Sequence, residues 1–162
     1  MKKYHMNRSD REIGDELELK RIVTNGKFVV ISMCSDNSPY VVTLNYGYDD
    51  RKHALYFHTA FKGLKLDIIS QNPNVCATVI EDLGYKAGEC DHSYRSVVFW
   101  GKMSMIDDLE EKKYGLNILL NHLEEHPDEV RKRLLREDSR YEKMQMAILR
   151  LDIEEMTGKQ AT

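Results

Sequence analysis

Residues 39–71 read PYVVTLNYGYDDRKHALYFHTAFKGLKLDIISQ, and the change of period within this stretch sets the architecture. PYVVTLNYGY and HALYFHTA are rich in β-branched and aromatic residues, and the polar run Asp49-Asp50-Arg51-Lys52 separates them as a turn. KFVVISMCS precedes them across a turn at Asp36-Asn37-Ser38, so three runs form an antiparallel meander. Beyond His58-Thr59 the pattern becomes helical, from about Gly63 to Gln71, and stops at Asn72-Pro73. Lys62 and Lys65 are three apart and share a helix face, beside first-turn amides that lack intrahelical partners. That is an anion site, to which His58 and Thr59 add two hydrogen-bonding groups. By spacing alone, the better reading is that the lysines are solvated surface charges and His58 a satisfied strand histidine, since two lysines near a helix start are common.

Outward from this stretch, Ser9 or Asp10 caps a helix through IGDELELKRIVT that ends at Asn25-Gly26 and packs as a lid. NVCATVIED supplies a fourth strand, LGYKAGECDHS a polar loop, and YRSVVFWGKMSMID a strand serving two sheet faces around a bend at Gly101. A helix follows from Asp107 or Asp108, with Leu109, Leu116, Leu120 and Leu123 on one face, and Pro127 opens another, PDEVRKRLLRED. MQMAILRLDIEEM is the last strand. The expected fold is mainly β (α+β): a six-stranded antiparallel barrel with peripheral helices, because closure removes exposed edges. One domain spans residues 1–162, with 1–8 and 158–162 (most of TGKQAT) as flexible tails. There is no βα alternation and no GxGxxG, which argues against a doubly wound dinucleotide fold.

A net charge of −3 from 24 basic and 27 acidic residues argues against nucleic-acid and anionic-membrane partners. No apolar run approaches membrane-spanning length and MKKYHMNRSDRE is not a secretory signal, so a cytoplasmic location is expected. Cys34, Cys76 and Cys90 make neither a disulfide framework nor a CxxC motif, and Cys34 and Cys76 read as buried small hydrophobes. Cys90-Asp91-His92 supplies only half of a zinc set, so no metal is expected. Met103, Met105, Met144 and Met146 read as core filler, and the EEKK and EEHPDEVRKR runs as solvated helix faces.

PYVVTLNYGY, LYFHTAFKGLKLDII and YRSVVFWGK, in this order, resemble the flavin-binding split-barrel family that includes pyridoxamine phosphate oxidase, most closely its nitroimidazole-resistance branch. Ile153-x-x-Met156-Thr-Gly-Lys159 resembles the branch's usual end, so the likeness runs from about Arg8 to Lys159. It implies a homodimer of six-stranded split barrels holding flavin mononucleotide (FMN) at the subunit interface. Val41, Val42, Thr43, Leu44 and Asn45 would run along the flavin ring, with Thr43 near its polar edge. His58, Thr59, Ala60, Lys62 and Lys65 would hold ribityl and phosphate. Tyr94, Arg95 and Ser96 would line the ring pocket, Trp100 and Lys102 would reach across the dimer, and His58 is also the candidate proton donor. Leu64 stands where the family often carries a second cation. The implied activity is reduction of a small aromatic substrate such as a nitro compound, with a nicotinamide nucleotide as electron source. A non-catalytic flavin or haem store or sensor, and pyridoxamine phosphate oxidase-like amine oxidation, are the alternatives that the same fold hosts.

Overall fold

A computed structural model describes residues 6–134 and 146–162. The meander forms as expected. β2 (Phe28–Ser35) and β3 (Ser38–Asn45) pair antiparallel with Ser35 opposite Ser38, and both loop residues, Asp36 and Asn37, have positive φ. Two consecutive positive-φ residues match the right-handed strand twist, which explains an Asp-Asn pair there. The second run is interrupted at Tyr46, which is buried and donates its hydroxyl to the Val23 carbonyl at 2.5 Å, so a short β4 (Gly47–Asp49) pairs instead with β5 (Ala54–Ala60).

β6 (Asn74–Lys86), β7 (Asp91–Met105) and β8 (Met146–Ala161) complete a sheet in the order β3-β2-β6-β7-β8-β5-β4, with β1 (Glu12–Ile13) added to the end of β8. Eight strands replace the six expected, and the two extra ones are the two-residue β1 and three-residue β4. β3 and β5, far apart along this path, bury Val42, Leu44, Leu55 and Phe57 in one core with Val29, Ile31, Val79, Val97 and Phe99. The sheet is therefore rolled into a barrel that is split between β3 and β4, which never pair.

Two segments expected as loop and tail are strand. LGYK extends β6 and pairs with Asp91 and His92, while residues 157–161 extend β8, with Ala161 opposite Tyr94. Gly and Lys make these runs poor strands in isolation, and the neighbouring β7 supplies the hydrogen bonds that keep them extended. The bend at Gly101 is a register shift between Trp100 and Gly101, and a Cβ there would run into the Asp152 carbonyl oxygen.

Four helices dress the barrel. α1 (Glu16–Asn25) is capped by Asp15, whose side chain accepts from the Leu17 amide, rather than by Ser9 or Asp10; Asp10 pairs instead with Arg8. It buries Leu19, Ile22 and Val23 in the barrel core. α2 (Leu64–Gln71) follows β5 directly, and α4 (Pro127–Leu134) follows α3. The remainder of the PDEVRKRLLRED helix, Met144, and the first five residues of the expected N-terminal tail lie outside the described residues.

α3 (Leu109–Leu123), capped by Asp108, packs Leu116, Leu119 and Leu120 onto Ala54, Tyr56 and Ile148 on the outside of β5 and β8. Polar bonds pin it there: the Tyr56 hydroxyl donates to Glu111 at 2.6 Å, Lys52 pairs with Glu111 at 2.7 Å, and Tyr114 donates to buried Asp49 at 2.6 Å. Met103 is core filler as expected, whereas Met105 is half exposed. Among the described residues, no helix is long and apolar enough to cross a membrane.

Candidate functional site

Because strand side chains alternate, the register of β3, β2, β6 and β7 sorts every expected site residue onto one of two faces. Val42 and Leu44 point into the core, while Val41, Thr43 and Asn45 point out. The outward rows continue across the sheet. Thr43 lies opposite Val30, Val30 opposite Thr78, and Thr78 opposite Val98; the next row runs Val41, Ser32, Cys76, Trp100. Among the described residues, no helix covers this face. Phe28, Val41 and Ile80 are each more than half exposed on it, a concentration of bare apolar surface that single scattered residues do not produce.

Two clefts cut into the bare face. One, of about 300 Å³, is lined by Thr78, Ile80, Asp82, His92, Tyr94 and Ser96. The second, of about 240 Å³, contains Cys34, Cys76, Trp100 and Glu154. Tyr94 and Ser96 line the first of these clefts, and Arg95 does not. Arg95 points to the other face, pairing with Glu81 at 3.2 Å and Glu18 at 3.5 Å beneath α1, because three successive strand residues cannot share one side. Lys102 is exposed and pairs with Glu154 at 3.5 Å. Cys34 and Cys76 are half-buried on this face rather than in the core, and burial pushes the Cys76 thiol up.

The strand-to-helix junction differs from the expected shared lysine face. Lys62 precedes the helix, in the link between β5 and the N-cap Gly63, and only Lys65 is on α2. Gly63 adopts φ 142°, a region that favours glycine, and its carbonyl accepts from the Leu66 amide at 2.9 Å. The Leu64 and Lys65 amides have no helical acceptor. Neither Lys62 nor Lys65 has an ion-pair partner among the described residues. Two free amides and two unpaired ammonium groups fit a phosphate, although Leu64 adds no charge and Asp67 opposes an anion within the first turn. This junction adjoins the start of β3: Pro39, Tyr40, Leu64, Asp67 and Gln71 line a cleft of about 320 Å³.

His58 is exposed and projects on the side of Tyr56 and Ile148, away from the core, while Thr59 is buried and Ala60 exposed. Within one chain His58 lines neither cleft of the bare face. The cleft residues that sequence reasoning passed over are Thr78, Ile80 and Asp82, whereas His92 was weighed only as half of a metal pair. The alternation Thr78, Ile80, Asp82 was visible in NVCATVIED, but its outward sense is set only by pairing with β7.

An open face on a split barrel defines a class of small β proteins, and the comparisons identify it. The chain belongs to the pyridoxamine 5'-phosphate oxidase family, whose model matches residues 15–160. No curated protein matches. Among solved structures, the chain is similar to a Bacteroides thetaiotaomicron protein provisionally named for 5-nitroimidazole antibiotic resistance, at 27% identity over 92% of this chain and 86% of that one, with a TM-score of 0.73. An FAD-binding protein from Mesorhizobium loti is 26% identical over 94% and 98% of the two chains, with a TM-score of 0.68. A flavocytochrome from Azotobacter vinelandii shares the fold at 18% identity, covering 100% of this chain and 75% of that one, with a TM-score of 0.76.

Proposed function

We propose that the protein is a cytoplasmic homodimeric flavoprotein that binds FMN and reduces a small aromatic substrate such as a nitro compound, taking electrons from a nicotinamide nucleotide. The observation that carries this reading is the bare face with its clefts, beside a strand-to-helix junction whose lysines have no ion-pair partner among the described residues. A second copy laid on Phe28, Val41 and Ile80 would remove this apolar surface from water and enclose the clefts between two chains. The Lys62–Lys65 junction would take the flavin phosphate, with Thr43 and Asn45 presented outward from β3 along the ring. The flavin supplies electron transfer, and the chain supplies binding, orientation and exclusion of water. The family membership and the FAD-binding relative at 26% identity support a flavin ligand, and the relative named for 5-nitroimidazole resistance supports the nitro substrate.

The test is the absorbance spectrum of the protein as purified, together with the mass of the ligand it releases. Flavin absorbance and the mass of FMN are expected, followed by bleaching with a nicotinamide nucleotide and recovery on adding a nitroaromatic. Released FAD or haem overturns the FMN assignment. Bound FMN that no nicotinamide nucleotide reduces overturns the enzymatic part and leaves a flavin binder.

A further inference from the structure

The cleft between β6 and β7 contains a pair of side chains to which neither the phosphate junction nor the apolar face gives a role. His92 Nε2 lies 2.6 Å from Asp82 Oδ1, and both side chains line the cleft with Tyr94, Ser96, Thr78 and Ile80. The pairing is built by a bulge. Register along β6 and β7 shifts between Asp82 and Gly84, leaving Leu83 unpaired, and Gly84 takes φ 101°. The Gly84 amide then donates to Asp82 Oδ1 at 2.8 Å. Bulges re-aim side chains next to functional sites. Here the backbone orients the carboxylate and the carboxylate orients the imidazole, the order in which a proton-exchanging histidine is held. These two bonds keep the Asp82 carboxyl below the usual carboxylate range, so it is available as the anion facing His92.

With Nε2 committed to Asp82, Nδ1 has no partner among the described residues. The other polar groups beside His92 are Tyr85, whose ring centroid is 6.1 Å away, Asp91, which accepts from the His92 amide at 2.9 Å, and Tyr94, which lines the same cleft. Asp82 is the one carboxylate among the residues that line the cleft. His92 is 46% exposed and Asp82 71% in the single chain, which leaves the imidazole a route to exchange protons with solvent.

We propose that His92, held by Asp82, is the residue that delivers a proton to an oxygen-bearing aromatic substrate in this cleft. The assignment rests on the flavoprotein reading. Reduction of a nitro group to nitroso takes up two electrons and two protons and releases water. A hydride, originating from the reduced flavin, accounts for both electrons and one proton; His92 gives the second proton to the departing oxygen and recovers it from solvent. Asp82 is a positioning residue that orients the ring through the bond to Nε2.

The experiment uses the flavin-loaded dimer with para-nitrobenzoate as probe. His92→Gln keeps a donor for Asp82 and has no proton to exchange. It lowers kcat about a hundredfold and removes the alkaline fall of the wild-type pH profile, with little change in KM. Asp82→Asn retains an oxygen for the Gly84 amide; it lowers kcat about tenfold, and Asp82→Glu restores most of the loss. As a readout independent of turnover, the His92 ring resonances of the oxidised protein shift on adding para-nitrobenzoate. A His92→Gln enzyme with wild-type kcat and an unchanged alkaline limb, or ring resonances that ignore the probe, overturns the role of His92 while the flavin reading stands. A wild-type protein that takes up no flavin overturns both.

Discussion

The two outer faces of the rolled sheet are built from the same kinds of strand and treated in opposite ways. On β5 and β8 the outward residues Ala54, Tyr56 and Ile148 lie buried under α3, which is held by Glu111, Lys52 and Tyr114. On β2, β3, β6 and β7 the outward residues Phe28, Val41 and Ile80 are each more than half exposed, with no helix over them among the described residues. Both faces carry large apolar side chains, so the presence of such residues alone does not tell them apart. What separates them is whether the chain supplies its own lid. A face covered from within stabilises the fold, and a face left open with clefts in it is available to a ligand and a second chain.

The contrast predicts different consequences for equivalent truncations. Leu119→Ala opens a cavity beneath α3, where Leu119 is 2% exposed, and should cost about 3 kcal/mol in urea unfolding. Ile80→Ala on the bare face should change the stability of a single chain by less than about 0.5 kcal/mol. Ile80→Arg should instead weaken self-association by at least about 2 kcal/mol, roughly 30-fold, read by light scattering across a dilution series. If Ile80→Arg leaves the oligomeric state untouched, the bare face is not where two copies meet.

The next largest effect concerns the junction at the edge of that face. Lys65→Ala should weaken FMN by about 2 kcal/mol, roughly 30-fold, and leave riboflavin affinity nearly unchanged, because only FMN carries the phosphate. Equal losses for the two ligands would move the phosphate elsewhere.

Sequence legibility follows the same division. The meander, the caps at Asn25-Gly26 and Asp108, and the bend at Gly101 were all readable, because each depends on residues within a few positions of one another. The cap of α1 was misplaced because Ser9, Asp10 and Asp15 are all competent, and Arg8 removes Asp10 from the competition. The strand character of LGYK and of residues 157–161 was hidden, since it comes from a partner strand and not from local preference. For the candidate site, the family pattern names runs of consecutive strand residues, and alternation divides each run between two faces. Val42, Leu44 and Arg95 belong to motifs whose neighbours look outward, and only the register shows which members turn inward. The Asp82–His92 pair depends on a bulge between residues ten apart, which no local pattern announces.

On the covered face, Tyr56→Phe tests how far polar bonds contribute beyond burial. The hydroxyl donates to Glu111, which keeps Lys52 and Arg150 as partners after the change. A loss of about 1 kcal/mol is expected, well below that for Leu119→Ala. A loss as large as that of Leu119→Ala would mean that the network, and not the leucines, holds α3 in place.

The smallest effect is a pH dependence that belongs to the covered side alone. His122, near the end of α3, accepts from the Tyr48 amide through Nδ1 at 3.4 Å and places Nε2 2.6 Å from the Gly26 carbonyl. Those partners assign the proton of the neutral ring to Nε2, and the Tyr46 ring packs against it at 4.8 Å. Burial, and to a smaller extent the charge of Lys27, push its pKa below the ordinary histidine value, with the Gly26 bond acting in the other direction. As pH falls through about 6.5 the unfolded chain takes up the proton before the folded one does. The stabilisation from neutral His122 is therefore complete above that pH and is lost as pH falls toward the lower folded value. Protonation also turns Nδ1 into a donor aimed at the Tyr48 amide, which works against the contact between α3 and β4. His122→Gln retains a donor for Gly26 and does not titrate, so its stability should decline less between neutral and mildly acidic pH than that of the wild type. Parallel curves for the two proteins would show that α3 is anchored without reference to the charge on this histidine.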